Sequence, residues 1–142
     1  MKKYMLFFLV PVVFLAAGCG GGTETKSGGE TTVKSGSVSY PDLYKNENLP
    51  QYKDAKLAQI ISNGPTLKEG VLLRLESEKD VKTIAAYYDS EMKKLGWTMP
   101  AVNTPTDASY ATQYEKGDKY IQMTVSKITG TSQTITLSLM QK

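Results

Sequence analysis

The segment that decides the fold is residues 77–97, which read SEKDVKTIAAYYDSEMKKLGW. Its apolar residues recur at steps of three and four, which places them on one face of a helix. They are Val81, Ile84, Ala85, Tyr88, Met92 and Leu95. Ser77 is the predicted cap of this helix, with Asp80 as its reciprocal partner, and Gly96 is the predicted left-handed stop. The segment therefore predicts an amphipathic helix that packs one face on a sheet.

Strands are predicted on both sides of this helix. Upstream, residues 55–62 and 71–76 are apolar and partly alternating, and a loop rich in Gly and Pro joins them. Downstream, two strands meet at Gly117-Asp118, and a two-residue turn there places Tyr114 opposite Ile121. This register gathers apolar side chains on one face, which favours it over a register shifted by one residue.

The last predicted strand covers residues 134–140, where Ile135, Leu137 and Leu139 alternate with polar residues. The element order is then ββαβββ. We predict an α+β fold, with a single antiparallel sheet of about five strands and one helix packed on one face.

Three segments are predicted along the chain. Residues 1–18 form a signal peptide, residues 19–39 a flexible tether and residues 40–142 the globular α+β domain. The tether is rich in Gly, Ser, Thr, Glu and Lys, a composition that buries too little apolar area to order itself. A flexible chain of about 20 residues spans roughly 25 Å. Residues 40–52 contain tyrosines and prolines, and we expect them to wrap the edge of the domain and to pack their tyrosines on it.

The only cysteine of the chain, Cys19, follows Leu15-Ala16-Ala17-Gly18. Lys2 and Lys3 precede an apolar run over residues 4–17, and this order is typical of a secretory signal. The run is shorter than the about 20 apolar residues that a spanning helix needs. A cysteine at the cleavage point resembles the lipobox of bacterial lipoproteins.

The lipobox resemblance implies that Cys19 carries a diacylglycerol on its sulfur and becomes the acylated first residue of the mature protein. It thereby implies an extracytoplasmic protein of the cell envelope, held on the membrane by a lipid anchor. In a host with two membranes, Gly20 in place of aspartate after the cysteine favours the outer membrane.

The charge and residue types of the chain argue against several functions. The net charge of +3 includes Lys2 and Lys3, so the mature chain is close to neutral and lacks the basic stripe of a nucleic-acid binder. The chain contains no histidine, which removes the commonest general base and transition-metal ligand. With a single cysteine it forms no internal disulfide. We expect neither a metal nor a cofactor.

Two groups of polar residues have the residue types of a catalytic site, but their positions on the helix indicate other roles. Glu76, Glu78 and Asp80 lie at the helix start, where compensation of the helix dipole accounts for them. Ser90 and Lys94 have the spacing of a Ser–Lys pair but lie on the polar helix face, where nothing desolvates the lysine. Asp89 and Lys93 are expected to form an ion pair on that face. We predict a protein that is not an enzyme.

The sheet face opposite the helix is the first candidate binding surface. It is polar yet nearly uncharged, and hydroxyls and amides desolvate more cheaply than charges. We call it the polar sheet face; it comprises Gln113, Tyr120, Gln122, Thr124, Thr134, Thr136 and Ser138. It is either a recognition surface for an envelope protein or an ordinary solvated face.

A pocket between helix and sheet is the second candidate site. A helix that lies over a curved sheet can leave room for a lipid or glycan, lined here by Tyr88, Trp97, Tyr110 and Tyr114. Trp97 is alternatively a core residue that covers the helix end.

The ending Leu95-Gly96-Trp97 of a strand-flanked helix, in a small lipid-anchored domain, resembles the helix-grip and TBP-like modules of bacterial envelope lipoproteins, BamC-type modules among them. The resemblance implies an accessory role in envelope assembly or maintenance through protein–protein contacts. The alternative is a carrier of a small ligand.

Overall fold

The computed structural model describes residues 23–27, 31–36, 38–62 and 70–141. Within them one antiparallel sheet of seven strands has the order β1-β2-β3-β4-β7-β6-β5. The strands are β1 Thr23–Ser27, β2 Thr31–Ser35, β3 Ala55–Ser62, β4 Val71–Ser77, β5 Ser109–Lys116, β6 Lys119–Thr129 and β7 Ser132–Gln141. The two helices are α1 Asp42–Asn46 and α2 Val81–Lys94. The predicted α+β class and antiparallel sheet are confirmed.

The β5–β6 hairpin has the register that the Gly117-Asp118 turn predicts. Tyr114 pairs with Ile121, and Lys116 pairs with Lys119 across the turn. Gly117 has a φ of 61°, the left-handed conformation that such a turn requires. The helix stop is also as predicted, because Gly96 has a φ of 79° directly after the C-cap Leu95.

The described residues form seven strands and two helices, more than the predicted five or so strands and one helix. The short helix α1 was not predicted, and strands β1 and β2 fall within the segment predicted as a tether. β2 pairs with β3, with Val33 opposite Ile61, and β1 pairs with β2. Composition does not predict them, because backbone hydrogen bonds to neighbouring strands hold these polar segments in the sheet, and side-chain hydrophobicity does not record such bonds.

The residue that caps α2 is Asp80, not Ser77. The Asp80 carboxylate accepts hydrogen bonds from the Thr83 backbone N–H at 2.8 Å and from the Thr83 hydroxyl at 2.6 Å. Ser77 still belongs to β4, where its hydroxyl donates to the Asp54 carbonyl at 2.8 Å. The cap is the last extended residue before the helix, and here that residue lies three positions after the strand ends.

Tyrosines join the segment before β3 to helix α2. The ring centroid of Tyr52 lies 4.6 Å from that of Tyr87 and 6.2 Å from that of Tyr88. Tyr44 is buried, donates its hydroxyl to the Pro50 carbonyl at 2.7 Å and stacks on Tyr40 at 5.1 Å. The expectation that residues 40–52 pack their tyrosines on the domain is confirmed at Tyr44 and Tyr52, both of which are buried.

The buried tyrosines predict a steep loss of stability at alkaline pH. Burial is the main cause that raises the pKa of Tyr40 and of Tyr110 from 10 to about 12, and it also raises the pKa of Tyr44, Tyr88 and Tyr114. Above pH 10 the unfolded chain loses protons that the folded chain keeps, so the free energy of unfolding falls as the pH rises towards 12.

A pH titration followed by tyrosinate absorbance and circular dichroism tests this expectation. The absorbance of the native protein is expected to rise together with unfolding, whereas the urea-unfolded control titrates near pH 10. Full tyrosine ionisation near pH 10 in a protein that keeps its native circular dichroism would contradict it.

Candidate functional site

A carboxylate on α2 is held by two tyrosines of the sheet. Asp89 accepts a hydrogen bond from the Tyr114 hydroxyl at 2.6 Å, and the Tyr110 hydroxyl lies 2.9 and 3.0 Å from its two carboxylate oxygens. The expectation that Asp89 pairs with Lys93 on the solvated helix face is therefore corrected, because the half-buried Asp89 points at β5. Within α2, Lys94 forms an ion pair with Glu91 at 2.6 Å.

Both tyrosines remain hydrogen-bond donors at neutral pH. Burial, and then the hydrogen bond to Asp89, raises the pKa of Tyr110 to about 12. The same two causes, in the same order, raise the pKa of Tyr114. Because both hydroxyls keep their protons, they fix the orientation of the Asp89 carboxylate.

A cleft of about 290 Å³ lies next to this carboxylate, and we call it the Asp89 cleft. Its lining is Asp89, Lys93, Trp97, Thr98, Met99, Val102 and Tyr114. The Met99 sulfur lies 3.5 Å from the Thr112 hydroxyl and 3.8 Å from the Tyr110 hydroxyl, so it closes the space behind the tyrosines. Val102 is 85% exposed at the rim. The arrangement combines apolar walls with one oriented acceptor, the Asp89 carboxylate, and one exposed cation, Lys93.

Trp97 forms a wall of the Asp89 cleft because Gly96 turns the chain back from the helix end. The Trp97 backbone N–H donates to the Met92 carbonyl at 3.0 Å, and the ring is 3% exposed. Its Nε1 has no hydrogen-bond partner among the described residues. This nitrogen is buried, so Trp97 offers the Asp89 cleft ring surface rather than an accessible hydrogen-bond donor.

A second cleft, of about 520 Å³, lies over the first three strands, and we call it the β1–β3 cleft. Its lining is Glu24, Lys34, Val38, Ser39, Tyr40, Pro41, Asp42, Lys45, Ile60 and Ser62. Two ion pairs belong to it, Lys34–Glu24 at 3.4 Å and Lys45–Asp42 at 3.5 Å. This cleft is larger than the Asp89 cleft and more heavily charged.

The four residues predicted to line one pocket lie in two places. Trp97 and Tyr114 line the Asp89 cleft, and Tyr110 reaches it through the Asp89 carboxylate. Tyr88 is buried beside Tyr52 and Tyr87. Its hydroxyl lies near the Tyr52 backbone without a hydrogen bond of normal geometry.

Asp89 itself was missed as a site residue. The signal that indicates it is the pair Tyr110 and Tyr114, which lie four residues apart on the buried side of a strand. Two buried hydroxyls require acceptors, and polar residues of the facing helix are the nearest source.

The residues of the polar sheet face lie together on the side of the sheet opposite α2. Gln113 pairs with Gln122, and Gln122 pairs with Ser138 on the next strand. Thr124 pairs with Thr136, while the intervening core residues point the other way. The cross-strand row that contains Gln122 and Ser138 continues on the next two strands into Leu72 and Ile61, both half-buried.

The weaker chemical candidates at Asp80 and Lys94 are explained by local structure. Asp80 caps α2, and Lys94 pairs with Glu91 rather than Ser90. Within the described ranges, no three His, Cys, Asp or Glu residues are grouped as metal ligands. Nor does any helix there combine the length and apolar character that crossing a bilayer requires. Cys19 lies outside the described residues.

The fold and the clefts define a small α+β domain in which a helix packs on an antiparallel sheet and leaves clefts at its borders. The chain belongs to the START domain-like family, whose model matches residues 57–134, more than half of the 142 residues. No curated protein and no solved structure matches the chain. The matched segment runs from β3 to β7 and contains α2 and the whole Asp89 cleft.

Proposed function

We propose that this protein is a non-enzymatic binding protein that takes a small hydrophobic ligand carrying a hydrogen-bond donor into the Asp89 cleft. START domain-like proteins often bind small hydrophobic ligands, which supports this class of function. The single observation that carries the proposal is an apolar cleft whose lining includes the Asp89 carboxylate. The buried hydroxyls of Tyr110 and Tyr114 hold this carboxylate in a fixed orientation.

The chemistry of the Asp89 cleft determines which ligands fit. Trp97, Met99 and Val102 offer apolar and aromatic surface, and ligand sites are typically apolar with a few placed polar groups. A carboxylate has about four acceptor positions, and the two hydroxyls do not fill them all. A hydroxyl or amine on the ligand can therefore donate to Asp89. The volume of about 290 Å³ suits a compact ligand.

We propose that residues 1–18 are removed as a signal peptide and that Cys19 is acylated, which would keep the domain on the membrane outside the cytoplasm. There the protein would serve as an accessory in envelope maintenance by holding or passing on its ligand.

Thermal denaturation with three compounds of one ring size tests the ligand proposal. Benzyl alcohol and benzylamine carry a donor, whereas toluene does not. We expect the first two to raise the melting temperature more than toluene does, because only they can donate to Asp89. The difference is expected to vanish in Asp89→Ala and to persist in Ser90→Ala, a matched control at an exposed neighbour. No shift with any of the three compounds in the native protein would overturn the proposal.

The polar sheet face supports a second candidate function, docking of an envelope protein. The observation in its favour is that seven uncharged side chains lie together and that one row continues into Leu72 and Ile61, beside the exposed Arg74 and Glu76 of the same strand. Apolar surface beside uncharged polar groups is typical of protein interfaces.

The docking hypothesis predicts that Gln122→Lys or Thr136→Lys abolishes recovery of a partner in cells without loss of folding. A charge added at these positions would have to be desolvated on binding. Photo-crosslinking from position 124, which neither variant changes, measures it, with Ser90→Lys, a charge added at an exposed position of α2 on the other side of the sheet, as the control. An unchanged partner yield in both lysine variants would exclude this function.

A further inference from the structure

The chain leaves little distance between the predicted lipid anchor and the sheet. Only Gly20, Gly21 and Gly22 separate Cys19 from Thr23, the first residue of β1. Consecutive Cα atoms are about 3.8 Å apart, so four steps reach at most about 15 Å. This reach is shorter than the roughly 25 Å span expected for the tether from composition, so β1 has to lie close to the lipid surface.

The β1–β3 cleft lies at this end of the molecule. Glu24 is the second residue of β1, and it forms part of the lining together with its cross-strand partner Lys34. Any short connection to Cys19 therefore brings the cleft near the bilayer. The Asp89 cleft is formed by α2, by β5 and by the loop that precedes β5, and β5 is at the opposite edge of the sheet.

The charges of the β1–β3 cleft are arranged in two exposed pairs. The side chains of Lys34 and Glu24 are 50% and 46% exposed, and those of Lys45 and Asp42 are 48% and 91% exposed. Exposed ion pairs contribute little to stability, so these side chains can exchange partners at low cost. Two cations beside two anions complement a lipid headgroup that carries both a phosphate and an ammonium group.

The remaining lining suits the interfacial region of a membrane. Val38, Tyr40 and Pro41 are half-buried, and tyrosine is enriched at membrane–water interfaces. Tyr40 stacks on the buried Tyr44, which holds it in place at the cleft. Leu43 on α1 is 38% exposed close by in the chain.

We propose that the domain docks on the bilayer that holds Cys19 through the face around the β1–β3 cleft, with one zwitterionic phospholipid headgroup in that cleft. The lysines contact the phosphate, and Glu24 and Asp42 contact the ammonium group. In this orientation neither the polar sheet face nor the Asp89 cleft contacts the lipid. This proposal is separate from ligand binding in the Asp89 cleft and rests on acylation of Cys19.

Depth-dependent quenching tests the orientation. The full chain is produced with its natural anchor and placed in phosphatidylethanolamine vesicles that contain nitroxide-labelled lipid. Since acylation blocks Cys19, a second cysteine can carry one fluorophore, either at Ser39 in the cleft or at Thr124 on the polar sheet face, both exposed. We expect several-fold stronger quenching from Ser39 than from Thr124.

Charge variants test the contacts. Lys34→Glu with Lys45→Glu is expected to reduce quenching at Ser39 several-fold, whereas Lys56→Glu with Lys53→Glu, the same charge change at exposed lysines outside the cleft, leaves it unchanged. Unchanged circular dichroism confirms folding in each case. Equal quenching at the two positions, no effect of the cleft variant, or a mass spectrum that shows Cys19 without lipid would each overturn the proposal. Ligand binding at the Asp89 cleft is measured separately and does not depend on these outcomes.

Discussion

Tyr88→Ala is expected to lower the free energy of unfolding by about 3–5 kcal/mol, the range for removing a large buried aromatic side chain. Tyr88 is 0% exposed in the middle of the apolar face of α2. Its ring centroid lies 6.2 Å from that of Tyr52 and 5.2 Å from that of Tyr87. The packing of Tyr88 on Tyr52 links the helix to the segment before β3. Truncation would open a cavity that these rings cannot fill without leaving their own contacts.

The neighbouring tyrosine supplies a matched control for Tyr88. Tyr87 is only half-buried, although its ring lies closer to Tyr52, at 4.6 Å. Tyr87→Ala is expected to cost about 1–2 kcal/mol, because part of its ring is already in water. Urea denaturation of both variants measures the difference. Equal losses would mean that the packing around Tyr88 is not the link between α2 and the entry segment.

Asp89→Ala is expected to lower the free energy of unfolding by about 2–4 kcal/mol, since it removes the acceptor of two buried tyrosine hydroxyls. The hydroxyls of Tyr110 and Tyr114 would then lie in the protein without their present partner. Ser90→Ala, at the exposed next position, is expected to change stability by less than about 0.5 kcal/mol.

Removal of both hydroxyls separates the hydrogen bonds from other effects of Asp89→Ala. In the background of Asp89→Ala, the added changes Tyr110→Phe and Tyr114→Phe are expected to restore part of the lost stability, because no donor is then left unpaired. The same two changes with Asp89 present are expected to destabilise. If the tyrosine changes have the same effect in both backgrounds, the three side chains are not energetically coupled.

Local patterns were sufficient to predict much of the fold. The β5–β6 register follows from a two-residue turn at Gly117-Asp118 and from alternation on both strands, and both signals lie within a few residues of the turn. The span of α2 follows from its apolar period and from the stop at Gly96. Where sequence neighbours determine the structure, the prediction succeeded.

The errors come from interactions between distant parts of the chain. β2 is polar, and its place in the sheet depends on β3, which follows it by some twenty residues. Ser77 looked like a helix cap, but pairing with Gln133 keeps it in β4, so Asp80 caps the helix. Neither partner can be identified from local composition or periodicity.

The candidate site was only partly predictable for the same reason. Of the aromatic residues predicted to line a pocket between helix and sheet, Trp97 and Tyr114 do line a cleft. The helical period placed Asp89 on the polar side, yet it lies at the boundary of that side, where α2 meets β5. A boundary position is solvated or buried according to the strand it faces, which the helix sequence does not specify.

The central claim is that the Asp89 cleft binds a small hydrophobic ligand with a donor group, and Trp97 allows the most direct measurement of it. Trp97 is the only tryptophan in the chain and it lines this cleft, so indole fluorescence reports on this site without labelling. The account predicts a saturable change in Trp97 emission when benzylamine is added to the native protein and a much weaker response in Asp89→Ala. Emission that stays constant across the titration, or that changes equally in Asp89→Ala and the native protein, would contradict it.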